Sequence, residues 1–192
     1  GHHIKKDIRG EKPDTSGIRK PGKRRLLALV SHDRFLRMLE VLFDEDEFFG
    51  PYGIRSLSKA HAEPYEVTLA GKAHSVKYTP EESDTHMFGG NSNWRGPVWF
   101  PVNYMLIESL ETYYHFYGDE FKIEVPSRSG NLCTLQEAAN ELARRLMSIF
   151  EPDESGARPC HGSNPLYSQI ESWKQLPLFY EYFDPDTGRG LG

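Results

Sequence analysis

Between Pro101 and Gly118 the apolar residues Val102, Met105, Leu106, Leu110, Tyr113, Tyr114 and Tyr117 recur every three or four positions. That spacing traces one wide apolar stripe along a helix, which Gly118 closes. A second stripe, Leu135, Ala138, Leu142, Leu146 and Phe150, opens at Thr134 and Glu137, the spacing of a capping box, and ends before Pro152. A third, Phe35, Leu39 and Leu42 with Leu36 and Met38 beside them, follows Ser31 as candidate N-cap and stops at the acidic run 44–47. A helix with one apolar face must bury that face against neighbours. The chain is therefore predicted to be mainly α. Three or four such helices can close a small bundle or form an arc of something larger, and the stripes alone leave both open.

One stretch breaks the helical pattern. Residues 65–69, YEVTL, alternate apolar and polar, turn through Ala70 and Gly71, and return through HSVKY, which predicts a small β-hairpin. Residues 1–25 have no periodicity and more Lys and Arg than acids, so a basic, poorly ordered arm is expected there, with the folded region at 26–192.

Aromatic residues make up 12% of the 192 positions, too many for a chain without a core. The formal charge of −5 gives no general attraction to nucleic acid, and the basic arm has no interleaved aromatics to stack on bases. No apolar run is long enough to cross a bilayer. Neither a nucleic acid nor a membrane partner is expected. Cys133 and Cys160 lie outside any CxxC or Cys/His cluster, which suits two free thiols in a reducing compartment and a cytoplasmic location. His74, His86, His115 and His161 are scattered without metal-ligand spacing, and no phosphate loop, dinucleotide fingerprint or nucleophile elbow occurs. No metal or cofactor is expected.

The chemistry concentrates in residues 89–104, GGNSNWRGPVWFPVNY. Trp94 and Trp99 supply flat apolar faces for a sugar ring, whose C–H faces are apolar and whose rim is hydroxyl. Arg95 offers five fixed donors. Asn91, Asn93 and Asn103 can both donate to and accept from hydroxyls. Gly89, Gly90 and Gly96 permit close backbone approach, and Pro97 and Pro101 suit the entrance to a helix. The competing reading makes the two tryptophans core plugs and pairs Arg95 with an acid.

Two further stretches join the argument. In FYEYFDPDTGRGLG, Glu181 stands among Phe179, Tyr180, Tyr182 and Phe183. A carboxylate among rings is partly desolvated, a condition that suits proton transfer. The alternative is a helix end with Glu181 facing water, and Asp184 and Asp186 read first as turn residues. In FFGPYGIRSLSKAH, Arg55 and His61 either face a site or are an ordinary surface arginine and a satisfied histidine.

Taken in order, FFGPYGIRSLSKAH, ESDTHMFGGNSNWRGPVWFPVNYMLIESL and LPLFYEYFDPDTGRGLG closely resemble the C-terminal part of glycoside hydrolase family 63, which includes the processing mannosyl-oligosaccharide glucosidases and their bacterial relatives. The stretch HFYGDEFKIEVPSRSGN is similar to the bacterial branch. The resemblance runs from about Arg25 to the last residue. It implies part of an (α/α)6 barrel with a small β-hairpin insertion, and hydrolysis of α-glycosidic bonds with inversion. By position Glu181 matches the general base, and Trp94 and Arg95 match the sugar-site motif. Asn93, Trp99, Asn103, His61 and Tyr182 are the further substrate-binding candidates, with Trp99 and Asn103 continuing the motif as support for the pocket. The family's general acid is an aspartate upstream, and no segment here resembles its surroundings. The resemblance thus implies the C-terminal portion of a glycosidase acting on an oligosaccharide or small glycoside, inactive as an isolated chain. Its partner would be the N-terminal part of the same enzyme, or another copy through an exposed apolar flank. A noncatalytic carbohydrate-binding module is the alternative.

Overall fold

In the computed structural model the described residues are 26, 28–86 and 92–192. The expected basic arm, residues 1–25, lies outside them, as do Gly89, Gly90 and Asn91 of the aromatic motif.

The three expected helices are present as α1 (His32–Leu42), α2 (Phe100–Tyr117) and α3 (Leu135–Ser148). Ser31 adopts the extended backbone of an N-cap before α1, but its hydroxyl makes no capping hydrogen bond. The capping box of α3 forms as its sequence dictates. The Thr134 hydroxyl accepts from the Glu137 amide, and the Glu137 carboxylate accepts from the Thr134 amide at 2.7 Å. Removing the hydroxyl orphans one of the first-turn amides. Thr134→Ala is therefore expected to lower stability by about 1 kcal/mol, read as a lower denaturation midpoint at unchanged slope.

α2 packs along α3, and the main core lies between them and α1. Phe35 and Leu39 of α1 meet Leu110 of α2 and Leu135, Ala138, Ala139 and Leu142 of α3, all buried. Ala138 and Ala139 are fully buried, which lets the backbones approach. The stripe of α2 is wider than the surface that covers it. Leu110 is buried, while Met105 on the other flank is 58% exposed, because α3 covers one side of the stripe only.

Among the described residues eight short strands pair two by two. β1 (Phe49–Gly50) pairs with β2 (Gly53–Ile54), and β3 (Tyr65–Leu69) with β4 (Lys72–Val76), the expected hairpin with Leu69 opposite Lys72. β5 (Val98–Trp99) pairs with β8 (Tyr182–Phe183), and β6 (Lys122–Glu124) with β7 (Leu132–Thr134). Before β8 come two short helices, α4 (Pro165–Gln169) and α5 (Glu171–Lys174), and then a stretch that is neither helix nor strand. Glu181 thus sits at a bend just before β8 rather than at a helix end, and it is exposed, as the reading that turned it to water expected, instead of desolvated among the rings.

Gly53, at φ +137°, sits where α2, α3 and β5 converge. A Cβ there would stand 2.9 Å from Val98 and 3.0 Å from both Asn103 and Leu146. Only glycine fits both the backbone angle and the space. Among the described residues no helix is long and apolar enough to cross a membrane.

Candidate functional site

The pairing of β5 with β8 builds the site. It sets Val98 opposite Phe183 and Trp99 opposite Tyr182. Because side chains alternate across a strand, the two pairs serve different faces. Val98 and Phe183 enter a core with Leu146 and Ile149, whereas Trp99 and Tyr182 pack with Leu191. Trp94 then lies over Trp99, with ring centroids 3.8 Å apart and planes within 6°. Trp99 lies in turn over Tyr182 at 4.7 Å and 23°. Three aromatic rings therefore form one stack: Tyr182 and Trp99 are buried, and Trp94 is its outer member, 39% exposed. Stacked rings bury a large apolar area, and Trp94 at the end of the stack keeps part of its surface exposed.

Glu181 precedes Tyr182 and is exposed. Its backbone is held on both sides: its carbonyl accepts from the Phe100 amide at 3.0 Å, and its amide donates to the Gly192 carbonyl at 2.9 Å. Gly190 also bridges to Phe183, so the C-terminal turn returns along β8. A Cβ on Gly190 would fall 2.1 Å from the Tyr180 ring, which no side chain could relieve without moving that ring. The Tyr182 phenol is pushed up mainly by burial, then by the negative charges of Glu82 and Glu181. Glu82, which sequence reasoning passed over, therefore shares this corner with Glu181.

The other candidates stand behind the stack. Trp99 donates its indole N–H to the Asn93 carbonyl at 2.8 Å. Asn93 is fully buried, and its side chain donates to the carbonyls of Thr79 (2.8 Å) and Glu81 (2.6 Å). Asn103 is buried too. Its oxygen accepts from the Ile54 amide at 2.7 Å, and its nitrogen donates to the carbonyls of Ile54 and Trp99. The amides expected to meet ligand hydroxyls instead satisfy loop backbone, which has few other partners where strands are two residues long. Arg95 is 3% exposed and bonds Asp84 at 2.6 Å, the arrangement of the competing reading in which it pairs with an acid. Its guanidinium holds the Asp84 carboxyl below the usual carboxylate range. The pair's stabilisation is thus present at neutral pH and lost as pH falls through that lowered value.

His61 belongs to a short 3-10 turn, Lys59–Ala62, and is half-buried, with its carbonyl accepting from the Tyr78 amide at 2.7 Å. Arg55 neither lies on the surface nor joins the stack. It is buried and donates to the carbonyls of Glu45 (3.1 Å) and Glu47 (3.4 Å) and to Asp186 (3.4 Å), tying the acidic run to the C-terminal turn. Tyr78, also overlooked in the sequence, packs against the space beside Gly96, and burial pushes its phenol up to about 12. Asp184 acts as the turn residue expected of it, accepting from the amides of Asp186 and Thr187. Among the described residues no group of His, Cys, Asp and Glu is arranged to hold a metal ion.

The Mannosylglycerate hydrolase MGH1-like glycoside hydrolase domain matches residues 26–192, and the chain belongs to that family. An uncharacterized protein of Saccharomyces cerevisiae is 48% identical over 174 residues, 89% of this chain and 16% of its own length. A Schizosaccharomyces pombe protein named "Probable mannosyl-oligosaccharide glucosidase" is 28% identical over 167 residues, 86% of this chain and 14% of its own. The mannosyl-oligosaccharide glucosidase of Saccharomyces cerevisiae is 22% identical over 157 residues, 81% of this chain and 13% of its own. The chain thus spans about a sixth or less of each of these relatives.

Proposed function

We propose that this member of the MGH1-like glycoside hydrolase family is the sugar-holding, base-bearing portion of an inverting α-glycosidase akin to glycoside hydrolase family 63, in its bacterial branch. The observation that carries the reading is the two-residue ladder between β5 and β8, which brings Tyr182, the residue after Glu181, onto Trp99 and so into the Trp94–Trp99–Tyr182 stack across more than eighty positions of sequence.

In this mechanism the outer face of Trp94 takes the apolar face of the glycosyl ring. Asn93, Trp99, Asn103 and Arg95 hold that face in place from behind. Glu181, anchored through its backbone on both sides, accepts a proton from the attacking water. An acid supplied by the longer polypeptide protonates the leaving oxygen, and an inverting pair stands roughly 6.5–9.5 Å apart so that water fits between base and sugar. The uncovered flank of α2 at Met105 suits burial by further helices of an (α/α)6 barrel. Two free thiols suit a cytoplasmic setting.

The exposed position of Glu181 favours a second reading for the chain on its own, a noncatalytic sugar-binding module. Proton NMR of α-glucoside and α-mannoside hydrolysis separates the readings. A full-length enzyme carrying this segment should release the β-anomer first, and the 192-residue chain should bind without turnover. Release of the α-anomer would overturn inversion. Turnover by the isolated chain would overturn the need for an outside acid.

A further inference from the structure

The strap of residues 77–84 lies against the turn that carries Trp94, and it is held there by the side chains flanking that tryptophan. Asn93 and Arg95 are both buried, while Trp94 between them projects outward, the alternation of an extended segment. Asn93 binds the strap at the carbonyls of Thr79 and Glu81. The Thr79 amide donates to the Arg95 carbonyl at 2.6 Å. At Gly96 a Cβ would stand 2.8 Å from the Thr79 carbonyl oxygen and 2.9 Å from the Pro80 Cα, so strap and turn are in direct contact.

The far end of the strap is held by charge. Arg95 donates through Nη2 to Asp84 at 2.6 Å and to the Ser83 hydroxyl at 3.4 Å, while its Nε is buried without a hydrogen-bond partner among the described residues. Asp84, 41% exposed, also meets Lys77 at 3.4 Å. A guanidinium that is 3% exposed is held in orientation by the carboxylate it bonds at 2.6 Å. The backbone of Arg95 in turn sets the direction in which Trp94 leaves the chain.

We propose that Asp84 is a positioning residue for the sugar platform: by latching Arg95 to the strap it holds Trp94 flat on Trp99. The inference rests on the sugar-holding reading of the stack, and it adds a residue outside the aromatic motif to the machinery of binding. Asp84 acts on the ligand through Arg95 and Trp94.

Two readouts test it. Indoles stacked at 3.8 Å couple their transitions, so circular dichroism of the unsubstituted protein should show an exciton couplet that is lost in Trp94→Ala and needs no ligand. Asp84→Asn should abolish the couplet while the helical signal persists, and Asp84→Glu, which keeps the charge, should restore it. Calorimetry with methyl α-glucoside and methyl α-mannoside should show affinity weakened about tenfold or more by Asp84→Asn, the scale of coupling between contacting residues. In a Trp94→Ala background the same substitution should change affinity no further, because the latch acts through that ring. A purely structural role would weaken binding in both backgrounds.

If Asp84→Asn alone does not fold, the double variant Asp84→Asn/Arg95→Gln removes the stranded cation with the latch and should still lose the couplet. A couplet and affinity retained by either variant would overturn the proposal. Absence of glycoside binding by the unsubstituted protein would instead overturn the reading of the site, and the couplet would still decide whether Asp84 sets the ring.

Discussion

Glu181→Gln, in an active full-length enzyme that contains this segment, is expected to lower kcat by about 10²–10⁴-fold, the contribution of one positioned acid–base group. The amide is nearly isosteric and keeps the backbone bonds to Phe100 and Gly192, so the strand and the aromatic stack should survive. Substrate affinity should stay close to that of the unsubstituted enzyme, because the stack and its supports are intact. The pattern sought is a fall in kcat with little change in substrate dissociation constant. Undiminished turnover would remove Glu181 from the chemistry, whereas equal losses in affinity and turnover would make it a binding group.

Trp99→Ala should produce the largest loss of stability, about 3–5 kcal/mol, the usual range for removing a buried aromatic side chain. The side chain is 4% exposed and lies between two other rings. Its indole N–H satisfies the Asn93 carbonyl, so its removal also strips a buried acceptor of its partner. Against a total stability of roughly 5–15 kcal/mol for a domain, that is a large share. Denaturant unfolding checks it through a lowered midpoint. Trp94 should also lose its platform, so the variant that still folds at low temperature should bind glycosides poorly. A loss below about 1 kcal/mol would mean the stack contributes little to the core.

The helices were legible in the sequence because their signal is local. The stripe from Val102 to Tyr117, the glycine at 118 and the Thr134/Glu137 box each lie within a few turns of the structure they specify. The hairpin at 65–76 was readable for the same reason, its strands being five residues long and two residues apart. The ladder between β5 and β8 was not. A two-residue strand has no period to detect, and its partner lies at the other end of the chain.

Site residues divided along the same line. That residues 93–103 form one unit was visible in their density of aromatics, amides and glycines. The direction of each side chain was not, since an asparagine suited to a sugar hydroxyl is equally suited to a loop carbonyl. Asn93 and Asn103 took the second partner because the irregular backbone around β1, β2 and the strap needed donors and acceptors. Asp84 went unnoticed because nothing in ESDT marks a buried arginine eleven residues on as its partner.

Sugar recognition at this site turns on the exposed surface of Trp94, where the ring of the glycoside packs. Calorimetric titration of methyl α-glucoside and methyl α-mannoside into the unsubstituted protein and into Trp94→Ala tests it most directly. The prediction is saturable binding to the former and affinity at least about tenfold weaker in the latter, in line with the loss of one aromatic contact surface. Equal affinity in both proteins, or binding to neither, would contradict it.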